Sequence, residues 1–311
     1  MENGHITNEA LLEQAAGCLA GAAVGDALGA PLDNMTADEI RSRYGLVREM
    51  TGGGGLRLDP GETTADTAQT IALAESIITH GRLDPVDAGR RLAQWYRTEP
   101  GGAGSHTAAV LGKIAGGKDW EQASLEVQAA APASAGSGSL TRCSPLALLH
   151  HGSAPQLIED SRLSSRITHP HGECQWSCAF LNLVIADLLA GSSPRRAVDN
   201  ALALCAHRGD VAGGVLERAN DAAYAEKGLR PAGGYVLDTL ECSLWALMHH
   251  DSFEKTLAAA VNLGGNAGTA GSVTGALAGA AYGLYAIPER WLAHMRIWRQ
   301  LHELAAAIIT L

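Results

Sequence analysis

Three aspartates, Asp26, Asp33 and Asp66, stand in segments that are otherwise rich in glycine, alanine and threonine. Carboxylates can hold a hard divalent cation, or they can remove a proton from water as a general base. Asp26 lies among regularly spaced glycines, where burial of an unpaired charge would be costly. Asp33 follows Pro31 in a connection, where it either points into a cleft or is an ordinary solvated loop acid. Both alternatives remain open from the residues alone.

Two further segments place polar residues where helices are predicted to begin. Pro60 to Thr67 precedes the helical pattern of Ile71, Ala74 and Ile78, and threonine and aspartate at such a start cap free N–H groups. Capping alone would explain this cluster. Gly264 to Thr269 opens a second predicted helix and faintly resembles a phosphate loop. It lacks the lysine of a nucleoside-triphosphate loop and no strand precedes it, which argues against a triphosphate site.

Histidine and cysteine are concentrated in one short segment, at His169, His171, Cys174 and Cys178. Imidazole and thiolate are zinc ligands, but this spacing differs from that of a two-plus-two zinc finger. We therefore prefer the interpretation that both cysteines are buried on a helix face. Gly136 to Ser139 has neither the spacing nor the preceding strand of a nucleophile elbow.

Helical periodicity dominates the chain and predicts the elements that must position these residues. Apolar residues recur at helical spacing in several stretches, and alternating strand patterns are hard to find. Capping signals indicate helix starts near Thr36, Asp84, Ser193 and Ser252. No segment has the length and polarity of an interdomain linker. The sequence therefore predicts an all-α fold in which residues 1–311 form a single compact multi-helix domain.

Glycine recurs at every fourth position in two of the predicted helices. Inside a helix, each glycine costs roughly 1 kcal/mol relative to alanine. A spacing of four leaves one ridge of each helix without side chains, so another helix can approach closely. We expect both helices at the centre of the fold, packed against each other. The two ridges are Gly17, Gly21, Gly25 and Gly29, and Gly271, Gly275, Gly279 and Gly283.

Composition and charge argue against several classes of protein. The chain has 311 residues, of which 46% are hydrophobic and 18% charged, and its net charge is -10. No run of lysine and arginine exceeds two residues, so we expect no nucleic-acid partner. The first residues lack the pattern of a signal peptide, and the apolar stretch Gly275 to Ile287 is shorter than the about 20 residues of a membrane helix. Six scattered cysteines then indicate free thiols, and we expect a cytoplasmic protein without a membrane partner.

Taken in order, the segments resemble the motifs of the ADP-ribosylglycohydrolase family over nearly the whole chain. Residues 25–33 resemble G-D-A-L-G-A-P-x-E, residues 61–67 resemble G-E-x-T-D-D-T, and residues 136–145 resemble G-N-G-x-L-M-R-x-x-P. Residues 261–283 resemble V-N-L-G-G-D-A-D-T followed by G-A-L-A-G-A-x-Y-G. The resemblance implies an all-α fold whose cleft holds two Mg²⁺ or Mn²⁺ ions. In the family, ligands from T-D-D-T and D-A-D-T hold these ions, which contact ribose and position water to cleave an N-glycosidic bond to arginine.

This chain lacks most of the carboxylates of those metal motifs. Ala65 stands where T-D-D-T has its first aspartate, and Asn266 and Gly268 replace both aspartates of D-A-D-T. Asp66 is retained, and Asp33 stands at the glutamate position. Two close dipositive ions need several carboxylates to offset their repulsion, so we expect no binuclear centre and at most one weakly held Mg²⁺ or Mn²⁺. The ligands predicted for that single ion are Thr64, Asp66 and Thr269.

The resemblance and its departures lead to two hypotheses for function. In the first, the chain hydrolyses a glycosidic bond of ADP-ribose or a related riboside, free or on an ADP-ribosylated protein, with Asp66 or Asp33 as general base and His106 assisting. In the second, it is an inactive descendant that binds ADP-ribose or a protein. The missing acids would leave two helix N-termini facing the cleft with less negative charge, which favours metal-free binding of an anionic ligand. The residues predicted to bind substrate are Asp26, Gly136, Ser137, Gly138, Ser139, His169, Gly265, Asn266 and Gly268.

Overall fold

The computed structural model describes residues 7–99, 102–205, 215, 217–224 and 234–311. Helices fill most of this part of the chain, which contains isolated bridges but no strand. The all-α prediction is therefore confirmed. The helices are α1 (Asn8–Gly29), α2 (Ala37–Tyr44), α3 (Ala65–His80), α4 (Pro85–Thr98), α5 (Ser105–Ala115), α6 (Trp120–Ala130), α7 (Pro145–Leu149), α8 (Ala154–Arg166), α9 (Gly172–Leu189), α10 (Pro194–Cys205), α11 (Val236–His249), α12 (Phe253–Val261), α13 (Ala267–Tyr282), α14 (Glu289–Leu292) and α15 (Trp298–Ile309).

The centre of the fold is the antiparallel pair of α1 and α13. At each facing position, an added Cβ would overlap a backbone carbonyl of the other helix. Direct contact between two bare backbones explains why glycine stands where alanine would form a better helix. The prediction that the two glycine ridges pack against each other is confirmed. The facing residues are Gly17 and Gly279, Gly21 and Gly275, and Gly25 and Gly271.

The apolar composition of α1 follows from this central position. α1 ends at Gly29, and a 3₁₀ turn continues it to Leu32. Within the described part of the chain, Asn8–Leu32 is the one segment long and apolar enough to cross a membrane, and its most apolar window is entirely buried in the fold. The stretch considered from the sequence, Gly275 to Ile287, is instead the end of α13 and the turn after it.

Polar side chains fix several of the helix starts. Thr36 and Glu39 form a capping box at α2, in which each side chain accepts a hydrogen bond from the other's backbone amide. The side chains of Asp84 and Ser252 accept amide hydrogen bonds at the starts of α4 and α12. The helix starts predicted at these residues are confirmed, and α10 begins at Pro194 as expected.

Candidate active site

A cavity of about 600 Å³ opens where the N-termini of α3, α5 and α13 converge. The 3₁₀ turn Ser137–Ser139 and the segment after α8 complete its wall. Helix starts direct free N–H groups and positive partial charge toward such a space. The predicted site residues that line the cavity are Asp33, Thr64, Asp66, His106, Gly136, Ser137, Gly138, His169, Asn266, Gly268 and Thr269.

Asp26 lies behind the cavity wall, which corrects its predicted role in substrate binding. The side chain is fully buried on α1. Its carboxylate accepts hydrogen bonds from the amides of Thr64 and Thr67 at 2.8 and 3.3 Å, and from their hydroxyls at 2.8 and 2.6 Å. Burial raises the pKa of Asp26, and these donors offset part of that rise. Because every contact is with the start of α3, Asp26 positions that helix and does not reach a ligand.

Ser139 and Gly265, also predicted to bind substrate, do not line the cavity either. The Ser139 hydroxyl is buried and lies 2.9 Å from the hydroxyl of Ser165. Gly265 has a φ of 73°, donates its amide to the Met35 carbonyl and accepts from the Asn34 amide, both at 2.7 Å. The polar groups of both residues bind neighbouring protein groups, so both residues support the cavity wall without facing the cavity.

Asp33 binds the start of α13, so the alternative of an ordinary solvated loop acid is wrong. Its Oδ1 accepts a hydrogen bond from the Gly268 amide at 2.8 Å. Burial raises the pKa of Asp33 to about 6; the Gly268 amide opposes this rise and the charge of Asp26 adds to it. A carboxylate thus occupies the helix start from which the family's acids at positions 266 and 268 are missing.

Asp66 stands in the first turn of α3 and faces the same cavity. Its Oδ2 accepts a hydrogen bond from the Thr269 hydroxyl at 3.0 Å. Burial raises the pKa of Asp66 to about 7, and the negative charge of Asp26 adds to the rise. A carboxyl group with such a pKa can exchange a proton with water near neutral pH, which general acid–base catalysis requires.

His106 lines the cavity, but protein groups hold both of its ring nitrogens. Nε2 lies 3.0 Å from the carbonyl of Thr168, and Nδ1 lies 3.0 Å from the hydroxyl of Ser134. A carbonyl only accepts, so Nε2 carries the proton and Nδ1 accepts from Ser134. Burial also lowers the pKa of His106, which keeps the ring neutral. With no ring nitrogen left to take a proton from water, the geometry argues against the predicted catalytic role.

Two residues that the sequence did not single out belong to the wall or support it. Gln69 on α3 lines the cavity, and Arg142 is fully buried behind it. Arg142 donates from Nη1 to Gln69 Oε1 at 3.1 Å and to the Gly138 carbonyl at 3.0 Å, and from Nη2 to Thr168 Oγ1 at 2.6 Å. The available signal for Arg142 was a lone arginine between Gly136 and Pro145, in the segment that matches a family motif. Gln69, inside a helix, offered no signal.

Three positions of the cavity wall lack the carboxylates that the family's metal motifs have there. Ala65, Asn266 and Gly268 all line the cavity without supplying a negative charge. A Cβ at Gly268 would lie only 3.0 Å from the Cα of Ala30, so an aspartate there would require Ala30 to move. In the described part of the chain, no group of three histidines, cysteines, aspartates or glutamates is placed to hold a metal ion.

Known proteins resemble this chain throughout its length. A family model described as ADP-ribosylglycohydrolase matches residues 7–311. The chain is 32% identical to ADP-ribosyl-[dinitrogen reductase] glycohydrolase of Rhodospirillum rubrum, over 98% of this chain and 99% of that protein. It is 34% identical to ADP-ribosylarginine hydrolase Tri1 of Serratia proteamaculans, over 90% and 75% respectively. A solved structure of an ADP-ribosylglycohydrolase-related protein complex superposes with a TM-score of 0.82, at 33% identity and over 97% of this chain and 99% of that one. The chain therefore belongs to the ADP-ribosylglycohydrolase family.

Proposed function

We propose that the chain hydrolyses a glycosidic bond of ADP-ribose or a related riboside by a non-classical route that uses at most one divalent cation. The observation that supports this proposal is the pair of carboxyl groups in one cavity, Asp33 and Asp66, with pKa values raised to about 6 and about 7. The Rhodospirillum and Serratia relatives are named for ADP-ribosylated dinitrogen reductase and ADP-ribosylarginine. An ADP-ribosylated protein is therefore a candidate substrate beside a small riboside.

In the proposed reaction, a water oxygen bonds to the anomeric carbon of the ribose while the carbon–nitrogen or carbon–oxygen bond to the leaving group breaks. The bonding electrons depart with the leaving group, which takes up a proton. Asp66 or Asp33 accepts the proton that the attacking water releases. Negative charge from these carboxylates also stabilises the oxocarbenium-like transition state. The remaining N–H groups at the starts of α3 and α13 would face the phosphates of an ADP-ribosyl ligand.

One weakly bound Mg²⁺ or Mn²⁺ would find its oxygen donors on Thr64, Asp66 and Thr269. The Thr64 hydroxyl already donates to Asp26, and the Thr269 hydroxyl donates to Asp66, so both hydroxyl oxygens keep lone pairs for a cation. A single carboxylate among the three ligands offsets little of a dipositive charge, which makes the affinity low. Such an ion would lend positive charge to ribose oxygens.

The second candidate function is binding without hydrolysis. The observation that favours it is the absence of acids at Ala65, Asn266 and Gly268, while the glycine contacts between α1 and α13 remain intact. A descendant of this kind would keep the cavity and the ADP-ribosyl ligand but would release no product. The two candidate functions therefore share an ADP-ribosyl ligand, but only the first includes its hydrolysis.

Calorimetric titration of the metal-stripped protein with ADP-ribose, repeated with Mg²⁺ and with Mn²⁺, tests the shared ligand. We expect micromolar affinity without metal and little change when either ion is added. Release of ADP-ribose from an ADP-ribosylated arginine peptide, followed from pH 5 to pH 9, then tests hydrolysis. A rate that rises around pH 7 points to Asp66 as the base, and one that rises around pH 6 points to Asp33.

Three variants accompany these measurements. Asp66→Asn and Asp33→Asn identify the base, because the true base variant should lose at least about 100-fold in rate while it still binds ADP-ribose. Glu159→Gln, at an exposed acid outside the cavity, is the matched control and should behave as wild type. Binding without turnover would support the second candidate. Absence of ADP-ribose binding under every condition would contradict ADP-ribose as the ligand of either candidate and would leave another riboside or a protein partner.

A further inference from the structure

The guanidinium of Arg142 is buried among neutral oxygen acceptors. It donates hydrogen bonds to Gln69 Oε1, the Gly138 carbonyl and Thr168 Oγ1, and none of these three acceptors carries a charge. Burial lowers the pKa of Arg142 to about 10, so it remains charged near neutral pH. A buried charge with only neutral partners is costly, and its presence needs an explanation in terms of what it orients.

One branch of its contacts determines the protonation of His169. Thr168 Oγ1 accepts from Arg142 Nη2 at 2.6 Å and lies 2.8 Å from His169 Nδ1. Thr168 is fully buried, and in the described part of the chain His169 Nδ1 is the one acceptor within reach of its hydroxyl proton. Thr168 therefore donates to Nδ1, which leaves the proton of the neutral imidazole on Nε2.

The Nε2–H of this tautomer is directed at the cavity. His169 lines the cavity, and Nε2 has no hydrogen-bond acceptor among the residues that the structure describes. A Cβ at Gly136 would lie 3.4 Å from Nε2, so the glycine leaves this edge of the ring uncovered. Burial and the charge of Arg142 both lower the pKa of His169, which keeps the ring neutral.

The other branch orients the amide of Gln69. A guanidinium only donates, so Gln69 must turn Oε1 toward Arg142, and its amino group is the branch directed away from that charge. Because Gln69 lines the cavity, the amino group is available to a ligand there. Through these two branches, the buried Arg142 orients two neutral N–H donors toward the cavity, the His169 Nε2–H and the Gln69 amino group.

We propose that Arg142 is a positioning residue that, through Thr168 and Gln69, makes His169 Nε2–H and the Gln69 amino group donors for the phosphate or ribose oxygens of the ligand. This inference deepens the proposed function, on which it rests for the identity of the ligand. The tautomer of His169 is a property of the free protein and can be measured without any ligand or turnover.

Long-range ¹H–¹⁵N NMR of the full chain labelled with ¹⁵N-histidine distinguishes the two neutral tautomers, and His169→Asn identifies the signals. We expect Nε2–H in the wild type. Thr168→Val removes the hydroxyl with little change of shape, and it should move His169 toward the Nδ1–H tautomer and weaken ADP-ribose binding about tenfold. Thr168→Ser retains the hydroxyl and should restore both the tautomer and the affinity.

Arg142→Met and Arg142→Lys test the arginine itself, with circular dichroism as the check of folding. We expect the tautomer to shift in Arg142→Met. Should that variant not fold, Arg142→Lys keeps the charge on a single amino group that cannot serve both branches, so it should lose either the Nε2–H tautomer or part of the ADP-ribose affinity. Nδ1–H in the wild type overturns the proposal, as does an unchanged tautomer in folded Arg142→Met, or an unchanged tautomer together with unchanged affinity in Arg142→Lys. If the tautomers behave as expected while neither the wild type nor any variant binds ADP-ribose, the proposed function fails for ADP-ribose. The conclusion that Arg142 sets the tautomer of His169 is then retained.

Discussion

At the scale of single residues, the cavity holds acids whose environment opposes their ionisation. Asp33 and Asp66 are raised in pKa chiefly by burial, and the charge of Asp26 raises both further. Groups of this kind are unfavourable for folding above their pKa, because the folded protein must carry a charge that the unfolded chain carries at no such cost. Carboxyl groups with raised pKa values are typical of catalytic sites. Their cost in folding stability can be measured separately from their contribution to activity.

Replacement of Asp66 by asparagine should stabilise the protein at alkaline pH. An aspartate of the unfolded chain ionises near pH 4, whereas folded Asp66 ionises at about 7. Its raised pKa therefore causes stability to be lost as the pH rises from about 4 to about 7, and asparagine cannot ionise. Urea unfolding should show the two proteins most alike near pH 4 and Asp66→Asn more stable at pH 8. Glu159→Gln, which removes an exposed acid outside the cavity, should not gain this stability at pH 8. An Asp66→Asn protein less stable than wild type at pH 8 would contradict the assignment.

At the scale of elements, α1 and α13 illustrate what local spacing can predict. A glycine every fourth residue is unfavourable in an isolated helix, so the repeat itself indicates a close neighbour, and the facing glycines confirm it. Helix starts at Thr36, Asp84 and Ser252 were also predictable from local sequence, because a capping side chain and the amides that it binds lie within a few residues of each other.

Substitution of a ridge glycine by alanine should separate the two central helices. A Cβ at Gly25 would overlap the backbone carbonyl of Gly271, and backbone cannot move aside as a flexible side chain can. We expect Gly25→Ala to lower the free energy of unfolding by about 3 kcal/mol or more. Gly112→Ala on α5 is the matched control, because its Cβ would meet Tyr96 at an ordinary 3.8 Å, and alanine there should be neutral or stabilising. Equal thermal unfolding of both variants would contradict the importance of the contact.

At the scale of the whole molecule, contacts between distant parts of the chain decided which residues form the site. Asp26 is 38 positions from Thr64, and Arg142 is 73 positions from Gln69. The ordered motifs predicted which segments meet, but not which of their side chains turn away from the cavity, as those of Asp26 and Ser139 do. His106 is an example, because the contacts of its ring nitrogens with Ser134 and Thr168, which argue against its predicted catalytic role, depend on packing that no local pattern displays.

The same scale governs the response of the protein to metal, because the net charge of the cavity sums contributions from α3, α13 and the turn after α1. Ala65 and Asn266 line the cavity at positions where the resemblance places aspartates. A variant with both Ala65→Asp and Asn266→Asp should be less stable than wild type in the absence of metal, because its new carboxylates repel Asp33 and Asp66. Divalent cations relieve this repulsion, so Mn²⁺ at roughly a hundredfold above its Kd should raise the Tm of the variant by about 5 °C.

The wild type should show a much smaller shift with Mn²⁺, since Asp66 is the sole carboxylate of its proposed ligand set. A second double variant, Asn8→Asp with Gln122→Glu, adds the same charge at exposed positions outside the cavity and should respond to Mn²⁺ as the wild type does. An aspartate at position 268 would not be a matched third addition, because its Cβ would crowd Ala30. An equal Mn²⁺ response in all three proteins would mean that the missing acids at positions 65 and 266 do not limit metal binding.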